Sequence, residues 1–384
     1  MPVYKQLGRV PRKRHIAFRG GDGRLQPEEL VGNEGFSGLS SLLYHVRVPT
    51  QVKSVRLLRC LEWKPEPERL VRHRHFLTKR MTTGPSLVFD RVPVLFNTDV
   101  ALAVVNPAQN DEGFYRNAQG DEIVFVAEGR GELQSPFGRL PFGDGDYLVI
   151  PRGILHRYHF EGPARCLVIE SRGCVRTPKR YRNEHGQLLE HAPFSERDIR
   201  TPEWVEPRDE RGDFPVVIKK DNQLVEMVLA NHPFDLVGWD GYYYPWAFNI
   251  RDFEPRVGRV HLPPPVHQTF EGDGFVVCSF CPRPYDFEPD AVPAPYNHSN
   301  VMSDEVLYYA SSEFMSRKNI EYASVTLHPD GLPHGPHPGR AEASIGQART
   351  DELAVMVDTF RPLEVSADAL GVEDRDYYRS WLDE

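Results

Sequence analysis

Residues 304–309 read DEVLYY and residues 329–334 read PDGLPH, and both segments have an earlier counterpart in the chain. Residues 121–126 read DEIVFV and residues 151–156 read PRGILH, in the same order. The glutamate of the first segment precedes the histidine of the second by 34 residues in the earlier copy and by 29 in the later one. Two such agreements in one order predict an internal duplication of a structural unit.

Proline and glycine punctuate the whole chain, which has 34 prolines and 30 glycines in 384 residues. Helical periodicity is scarce, and short apolar runs are separated by turn-forming residues. This pattern is typical of a mostly β protein of the sandwich or barrel type. We predict strand-like segments at residues 86–89, 93–96, 123–126, 147–150, 165–169 and 353–357.

The chain is long enough for two domains with cores of their own. Since each half contains one copy of the duplicated unit, we expect an N-terminal domain over residues 1–255 and a C-terminal domain over residues 256–384.

Charge and hydropathy exclude several classes of function. A formal net charge of −9 argues against a general nucleic-acid binder. No apolar run approaches the roughly 18–20 residues that cross a bilayer. The N-terminal residues MPVYK lack the apolar core of a secretory signal. We therefore expect a cytoplasmic protein that binds neither membranes nor nucleic acid.

The five cysteines form an odd, scattered set, which indicates reduced thiols. Cys278 and Cys281 have the CxxC spacing of redox and zinc motifs, but the motif lies in a strand-like segment, residues 274–280. Because residues three apart on a strand point to opposite faces, we expect two half-buried strand cysteines and no shared ion.

The earlier copy resembles the cupin signatures. Glu122 is followed seven residues later by a glycine, and residues 145–156 read G-x5-P-x-G-x2-H. A metal-binding cupin carries an H-x-H pair before the glutamate, whereas this chain has Tyr115 and Asn117 there. The resemblance implies a barrel that keeps the scaffold with a degenerate metal site. His156 and His159 are then expected to be rim or hydrogen-bonded histidines.

The later copy has the pattern H-x-N-x4-E, formed by His298, Asn300 and Glu305, with His334 at the end of the second motif. Two imidazoles and one carboxylate can fill one face of an octahedron and leave the other face open. This set predicts a mononuclear metal site. We favour Fe(II) over manganese, nickel or zinc, although these ligand types do not select the metal by themselves.

Further histidines lie in the same third of the chain. His267 and His328 are candidate acid–base groups, because an imidazole can accept a phenolic proton near neutral pH. The alternative for each is a histidine that packs in a loop or on the surface. We expect His337, in a Pro-His-Pro-Gly sequence, to lie in an outer loop.

Residues from about 231 onward resemble homogentisate 1,2-dioxygenase. The similar segments are residues 233–242 (PFDLVGWDGY) with Tyr244-Pro245, residues 296–303 (YNHSNVMS), and residues 327–336 (LHPDGLPHGP). The resemblance is fainter before residue 230. It implies a bicupin fold of two double-stranded β-helix (jelly-roll) barrels with few short helices.

The resemblance also implies roles for individual residues. His298, Glu305 and His334 would hold Fe(II), His267 would be the active-site base, and His328 would contact substrate. The family's substrate-binding positions further include those of Tyr296 and Phe314, so that Tyr296, His328 and Phe314 are the expected substrate contacts.

The implied reaction is extradiol-type cleavage of homogentisate by O2 to maleylacetoacetate, a step in the catabolism of phenylalanine and tyrosine. The partners would be a small aromatic substrate and O2, and the implied assembly is a homotrimer or hexamer.

Three departures from the family pattern indicate a divergent branch. Glu305 lies one residue farther from His298, Phe314 stands where the family has a tyrosine, and the loop at residues 37–40 is reduced. Two alternatives therefore stay open. One is a related bicupin dioxygenase for gentisate or another hydroquinone, and the other is a non-catalytic or metal-isomerase bicupin.

Overall fold

Strands dominate the chain in the computed structural model, which describes residues 3–382. The strands are β1 (Lys5–Gly8), β2 (Glu28–Gly32), β3 (Ser40–His45), β4 (Val52–Cys60), β5 (Arg74–Phe76), β6 (Val92–Phe96), β7 (Val100–Val105), β8 (Phe114–Asn117), β9 (Asp121–Glu128), β10 (Gly131–Ser135), β11 (Gly138–Phe142), β12 (Asp146–Ile150), β13 (Arg157–Phe160), β14 (Arg165–Ser171), β15 (Ile199–Arg200), β16 (Arg211–Lys220), β17 (Gln223–Asn231), β18 (Leu236–Gly241), β19 (Trp246–Asn249), β20 (Gln268–Gly272), β21 (Phe275–Phe280), β22 (Arg283–Pro284), β23 (Asp304–Tyr309), β24 (Val325–His328), β25 (Arg349–Thr350), β26 (Ala354–Thr359), β27 (Glu364–Val365) and β28 (Glu373–Asp374).

Helices are few and short, as the proline and glycine content predicts. Over residues 3–382 there is one α-helix, α1 (Arg340–Ser344), and the other helical segments are 3-10 helices of three to six residues. These segments are Thr78–Arg80, Lys179–Tyr181, Glu196–Asp198, Ile250–Asp252, Pro264–His267, Ala367–Val372 and Tyr377–Arg379. No helix in this part of the chain has the length and apolar character needed to cross a bilayer.

Two large antiparallel sheets repeat one strand order. The first runs β27-β6-β7-β14-β9-β12-β19-β15, and the second runs β20-β21-β26-β23-β24-β5-β28. Strand β27 is an extra edge strand, and the other seven strands of the first sheet correspond in order to the seven of the second. The two repeated glutamates are each the second residue of the fourth of these seven strands, Glu122 on β9 and Glu305 on β23. The duplication predicted from the sequence is confirmed, and so is the fold class of two cupin-type β units with few short helices.

The two copies also share the contacts that fix their turns. Asp121 on β9 accepts a hydrogen bond from the backbone N–H of Arg152 at 2.8 Å, and Asp304 on β23 accepts one from Asp330 at 2.7 Å. A carboxylate at the start of the strand therefore holds the Pro-x-Gly turn of each copy. The second segment of each repeat is thus fixed relative to the first.

The glycines of these turns are required by the backbone. Gly153 has φ +80° and Gly331 has φ +74°, in the left-handed region that side chains rarely adopt. Their N–H groups donate to the carbonyls of Asn117 at 2.7 Å and Asn300 at 2.8 Å. This conformation brings the histidine at the end of each motif back to the strand or loop that precedes the glutamate.

The two units exchange strands and share one core. Strand β5, from residues 74–76, pairs within the second sheet, and β27, from residues 364–365, pairs with β6 of the first. Between the sheets, the Tyr147 and Ser279 hydroxyls are 2.9 Å apart. The division into residues 1–255 and 256–384 stays a prediction, and these two strands cross it.

Smaller sheets flank the two large ones. The strand orders are β1-β18-β3-β2, β4-β17-β16-β8, β11-β10-β13 and β22-β25. Strand β8 precedes β9 of the first barrel and pairs in parallel with β16. It therefore has the barrel interior on one side and the flanking sheets on the other.

Predicted strands at residues 123–126, 147–150 and 165–169 lie within β9, β12 and β14. The strand predicted at residues 86–89 is wrong, since these residues form a turn. The hydroxyl of Ser86 accepts hydrogen bonds from the N–H groups of residues 88 and 89, at 3.2 and 3.0 Å. Such a side-chain acceptor offers the backbone an alternative to a sheet partner, which hydrophobicity alone does not reveal.

The two CxxC cysteines are fully buried rather than half-buried, which corrects the sequence prediction. Cys278 and Cys281 are each 2% exposed. Their thiols point to different carbonyls, Cys278 to Pro264 at 3.9 Å and Cys281 to Phe253 at 3.6 Å. Buried residues lie on both faces of β21, so the alternation of side chains along the strand does not bring Cys278 to solvent. Cys281 directly follows the strand and is buried as well. All five cysteines are unpaired.

Candidate metal centre and active-site cavity

Three elements bring the predicted ligands together. Glu305 projects from β23, and His298 and His334 lie on the loops on either side of it in sequence. The two histidines form an isolated antiparallel bridge, in which each backbone N–H donates to the carbonyl of the other at 2.8 Å. This bridge fixes the spacing of the two imidazoles before any ion binds.

The ligand atoms of these three residues face one another. The Oε2 atom of Glu305 lies 3.7 Å from Nε2 of His298, and its Oε1 atom lies 3.5 Å from Nε2 of His334. One ligand atom from each residue falls within 4.8 Å of the others, and residues 3–382 contain no second group of this kind. These separations suit one ion at bonds of about 2.1 Å after small adjustments.

Backbone carbonyls orient the two imidazoles. Nδ1 of His298 lies 3.2 Å from the carbonyl of Tyr296, and Nδ1 of His334 lies 3.3 Å from that of Leu332. Nδ1–H then donates in each ring, so that the Nε2 lone pairs point at the Glu305 carboxylate. Nε2 of His334 is buried without a hydrogen-bond partner. Lone pairs and a carboxylate that converge in this way fit a cation between them.

His328 lies behind the carboxylate. It is 0% exposed on β24, directly opposite Glu305 in the strand pairing, and its Nδ1 is 2.8 Å from Oε1 of Glu305. Burial lowers the pKa of His328 well below its usual value, although the hydrogen bond to Glu305 opposes this effect. A neutral His328 therefore donates its Nδ1 proton to Glu305. In the described part of the chain it is not among the residues that line the cavity.

His298 and Glu305 form part of the wall of a narrow cavity of about 70 Å³. Apolar and aromatic side chains make up one part of the wall: Leu262, Phe280, Leu307, Phe314 and Met356. Polar and charged side chains make up another part, which includes Arg256, His261, His267, Arg283, Asp286, Arg317 and Glu352. A mostly apolar cavity with a few directed polar groups is typical of a site for a small organic ligand.

His267 is placed on this wall by the 3-10 turn Pro264–His267. The side chain is buried, its Nδ1 has no hydrogen-bond partner, and its ring centroid is 4.7 Å from that of Phe280. Burial, helped by the charge of Arg283, lowers the pKa of His267 to about 3. The ring is thus neutral at pH 7, and the residue that carries the unpaired nitrogen is part of the cavity wall.

The two aromatic residues predicted to contact substrate differ in placement. Phe314 is buried in the cavity wall, with its ring 5.8 Å from Phe280. Tyr296 is 62% exposed, and its ring lies 5.5 Å from His261. Tyr296 is not among the described residues that line the cavity, although its neighbour Pro295 is.

Two arginines on the wall, the buried Arg317 and the half-buried Arg283, were missed by sequence reasoning. Arg317 donates from Nη1 to the carbonyl of Gly335, the residue after the ligand His334, at 2.6 Å. Arg283 pairs with Glu352 at 2.7 Å. Neither arginine belongs to a motif or a spacing rule, so no signal in a single sequence identifies them.

His337 was expected in an outer loop and is instead buried. Its Nδ1 accepts from the backbone N–H of Lys318 at 3.0 Å, and its ring centroid lies 4.5 Å from that of Trp381. The C-terminal residues pack against it and remove it from solvent. This contact is made across the fold, and the local Pro-His-Pro-Gly sequence does not reveal it.

The first barrel has a different arrangement around its glutamate. Arg91 donates to both oxygens of Glu122, at 2.5 and 3.0 Å, while Tyr115 and Asn117 donate to Oε1 at 3.0 and 2.9 Å. Burial tends to raise the pKa of Glu122, but the charge and hydrogen bonds of Arg91 outweigh it and lower the pKa to about 2. The guanidinium neutralises this carboxylate.

The two histidines of the first barrel are placed differently from each other. His156 is buried, and its Nδ1 is 2.9 Å from the carbonyl of Ile154, two residues before it, as for the histidines of the second barrel. His159 is exposed on β13. The first matches the expected hydrogen-bonded histidine, and the second matches the expected rim histidine.

The sequence is similar to a family model and to several named proteins. A family model described as "Homogentisate 1,2-dioxygenase N-terminal" matches residues 86–250. A Saccharolobus solfataricus protein named "Putative dioxygenase SSO1533" is 40% identical over 99% of this chain and 99% of its own length. The homogentisate 1,2-dioxygenase of Bradyrhizobium diazoefficiens is 28% identical over 74% of this chain and 67% of that protein. The Caenorhabditis elegans homogentisate 1,2-dioxygenase is 24% identical over 69% of this chain and 63% of that protein.

Among solved structures, a cupin 2 conserved barrel domain protein from Leptotrichia buccalis covers 76% of this chain and 99% of its own, with a TM-score of 0.36 and 9% identity. Because this TM-score is low, the fold class rests on the strand order and the contacts described above, and not on this structural similarity.

Proposed function

The chain belongs to the homogentisate 1,2-dioxygenase family, and on that basis we propose that it is an Fe(II)-dependent dioxygenase that opens the ring of homogentisate with O2 to give maleylacetoacetate. The single observation that carries the proposal is the convergence of His298, Glu305 and His334 beside a cavity of mainly apolar walls. The predicted place of the reaction is the catabolism of phenylalanine and tyrosine.

His298, Glu305 and His334 would hold the metal. Two imidazoles and one carboxylate with open positions are the ligand set of many non-haem Fe(II) oxygenases. When bound, Fe(II) supplies the redox route between O2 and an electron-rich ring, which organic side chains lack. The chain supplies alignment of the reactants and exclusion of water.

His328 has a positioning role in this proposal, in place of the substrate contact that the family resemblance implies. It is fully buried behind Glu305 and donates to the carboxylate at 2.8 Å. A hydrogen bond to a ligand carboxylate fixes its orientation and tunes its basicity. We therefore assign His328 to holding Glu305, and not to direct contact with the hydroquinone.

His267 has the acid–base role. Its unpaired nitrogen can accept the proton of a phenolic hydroxyl as the substrate binds. Burial lowers the pKa of the ring and makes it a weak base, so the position of this nitrogen on the cavity wall, and not its basicity, supports the role. Phe280 and Phe314 provide flat walls for the aromatic ring, and Tyr296 lies outside them as a residue of the rim. The walls also limit the access of water to the ring.

The acetate carboxylate of homogentisate requires a cation. Arg256 is exposed, lies on the cavity wall, and has no ion pair with any residue between 3 and 382. Arg283, by contrast, is already paired with Glu352. Arg256 is therefore our choice for the residue that binds the substrate carboxylate.

Phe314 supports an alternative to homogentisate as the substrate. The family has a tyrosine at this position, and a phenylalanine cannot donate the hydrogen bond that a tyrosine would give to substrate. A related hydroquinone such as gentisate, with a shorter acidic substituent, is thus the alternative substrate. The assembly into a trimer or hexamer stays a prediction.

The test is oxygen consumption by anaerobically purified, Fe(II)-loaded protein with homogentisate and gentisate measured side by side. We expect uptake that depends on iron and is faster with homogentisate. Faster oxygen uptake with gentisate would show that gentisate, and not homogentisate, is the preferred substrate. Absence of uptake with either compound would overturn the enzymatic proposal.

A matched pair of variants connects the activity to the site. His298→Phe removes a proposed ligand, whereas Tyr115→Phe changes the corresponding residue of the first barrel. We expect the first variant to lose oxygen uptake and the second to retain it. Equal activity of the two variants would show that the site is not the one assigned here.

A further inference from the structure

Strand β8 carries an arginine that does not take part in the first barrel's glutamate cluster. Tyr115 and Asn117 on this strand both bond to Glu122. Because side chains alternate along a strand, Arg116 between them points to the opposite face. Arg116 therefore lies outside the barrel interior, on the side of the flanking sheets.

On that side Arg116 lines a cleft of about 320 Å³, much larger than the cavity beside His298. Its apolar wall consists of Leu30, Val31, Leu43, Phe137, Ile154, Leu155 and Leu229. Its polar wall consists of Glu29, His45, Arg47, Gln51, Arg116, Asn231, His232 and Asp235. The cleft thus has room for a small organic molecule and groups that can orient it.

The carboxylates of this cleft already have partners. His45 lies between two of them, with Nδ1 2.7 Å from Asp235 and Nε2 2.9 Å from Glu29. Arg47, which is also on the polar wall, donates to Asp209 at 2.6 Å, and Asp209 does not line the cleft. The acidic groups near the cleft are therefore hydrogen-bonded to groups other than Arg116.

The side chain of Arg116 has no hydrogen bond or ion pair with any residue between 3 and 382, and its Nε is buried without a partner. The only charge that acts on it appreciably is that of Glu29, while burial lowers the pKa of its guanidinium. Arg116 is half-buried, an arginine stays charged in proteins, and a charge partly withdrawn from water without a hydrogen-bonded partner is unfavourable. The side chain thus lacks an acceptor in a cleft that has room for one.

We propose that this cleft is a second ligand site, which binds a small organic carboxylate through Arg116. A carboxylate can accept two parallel hydrogen bonds from one guanidinium, and the apolar walls would hold a hydrocarbon or aromatic body. The site lies outside the first barrel and needs no metal. It is independent of the reaction proposed for the second barrel.

The test is the thermal unfolding midpoint of the Fe(II)-loaded full chain with benzoate, with its neutral isostere benzamide, and with inorganic phosphate. Benzoate at about ten times its dissociation constant is expected to raise the midpoint by about 1–3 °C. Benzamide and phosphate should have little effect. No shift with benzoate, or a shift with phosphate alone, would overturn the proposal.

Two variants locate the bound benzoate. Arg116→Met removes the proposed guanidinium, and Arg256→Met removes the unpaired arginine of the other cavity. The shift should disappear in the first variant and persist in the second. A shift that persists in Arg116→Met would place the carboxylate elsewhere and contradict the assignment.

A crystal of the unaltered protein soaked in 4-bromobenzoate gives a test that does not depend on the folding of a variant. The anomalous signal of bromine should appear in the cleft beside Arg116. A signal found only beside His298, or no ordered signal, would overturn the proposed site.

Discussion

Tyr115 of the first barrel and His298 of the second occupy the same place in the fold. Tyr115 exchanges two backbone hydrogen bonds with His156, at 2.8 and 2.9 Å, and His298 exchanges two with His334, both at 2.8 Å. One scaffold therefore presents a phenol in one copy and an imidazole in the other. In the first copy the Arg91 guanidinium, 5.3 Å from the centre of the Tyr115 ring, binds the glutamate.

The Arg91–Glu122 pair is predicted to be a large contributor to the stability of the first barrel. Arg91→Met leaves a buried carboxylate without its cation, which typically costs about 3–5 kcal/mol. Urea denaturation measures the loss. The double variant Arg91→Met/Glu122→Gln should recover part of it, because the buried negative charge is then absent.

The control for this prediction is Arg349→Met, which removes a solvent-exposed pair with Asp351 and should change the free energy of unfolding by less than about 1 kcal/mol. A loss in Arg91→Met no larger than that of the control would contradict the role given to the pair.

His45 is predicted to make the folded protein less stable as the pH becomes alkaline. Burial opposes its charge, but the carboxylates of Asp235 and Glu29 outweigh burial and raise its pKa from 6.5 to about 9. A raised pKa means that this contribution is complete below pH 6.5 and is lost as the pH rises through 9. The unfolding midpoint measured from pH 6 to pH 10 should therefore fall more steeply in the unaltered protein than in His45→Gln.

The exposed His185 supplies a control for this pH series. His185→Gln should reproduce the pH profile of the unaltered protein. Parallel profiles for all three proteins would show that His45 is not the group responsible.

His328 is predicted to act on the metal through Glu305. His328→Phe removes the 2.8 Å hydrogen bond to the carboxylate while keeping an aromatic ring in the core. The affinity for Fe(II) should fall about 10- to 100-fold, as for other groups that orient a ligand. Competition with a metal chelator measures this change. A variant with unchanged iron affinity but a much higher KM would instead support a direct contact of His328 with substrate.

His267 is predicted to act on the substrate and not on the metal. His267→Phe should retain iron, because His267 is not in the ligand cluster, and should lower kcat by about 10²- to 10⁴-fold. Iron content and turnover are measured on the same sample. Loss of iron together with activity would show that the ring supports the site structurally.

The fold was largely predictable because it depends on local patterns repeated twice. The Asp-Glu pair, the Pro-x-Gly turn and the terminal histidine of each copy fall within one short stretch of sequence, residues 121–156 and residues 304–334, and they recur in the same order. The residues of the candidate metal cluster come from one such copy. Sequence reasoning therefore found His298, Glu305 and His334 together.

What the sequence did not reveal depends on contacts between distant segments. Arg91 lies 2.5 Å from Glu122 although 31 residues separate them, and no motif connects the two. The position of His328 opposite Glu305 is set by the pairing of β23 with β24, and our proposal of a positioning role in place of the predicted substrate contact depends on it. Arg116 faces away from the barrel because of the strand it occupies. Each of these placements follows from the assembled sheets.

The most direct test of the central claim is the iron content of the chain after anaerobic loading with Fe(II) and removal of free metal. The account predicts one iron per chain in the unaltered protein and almost none in Glu305→Ala, since the second barrel holds the ion and Arg91 replaces it in the first. Iron retained at the same level in Glu305→Ala, or two irons per chain in the unaltered protein, would contradict it.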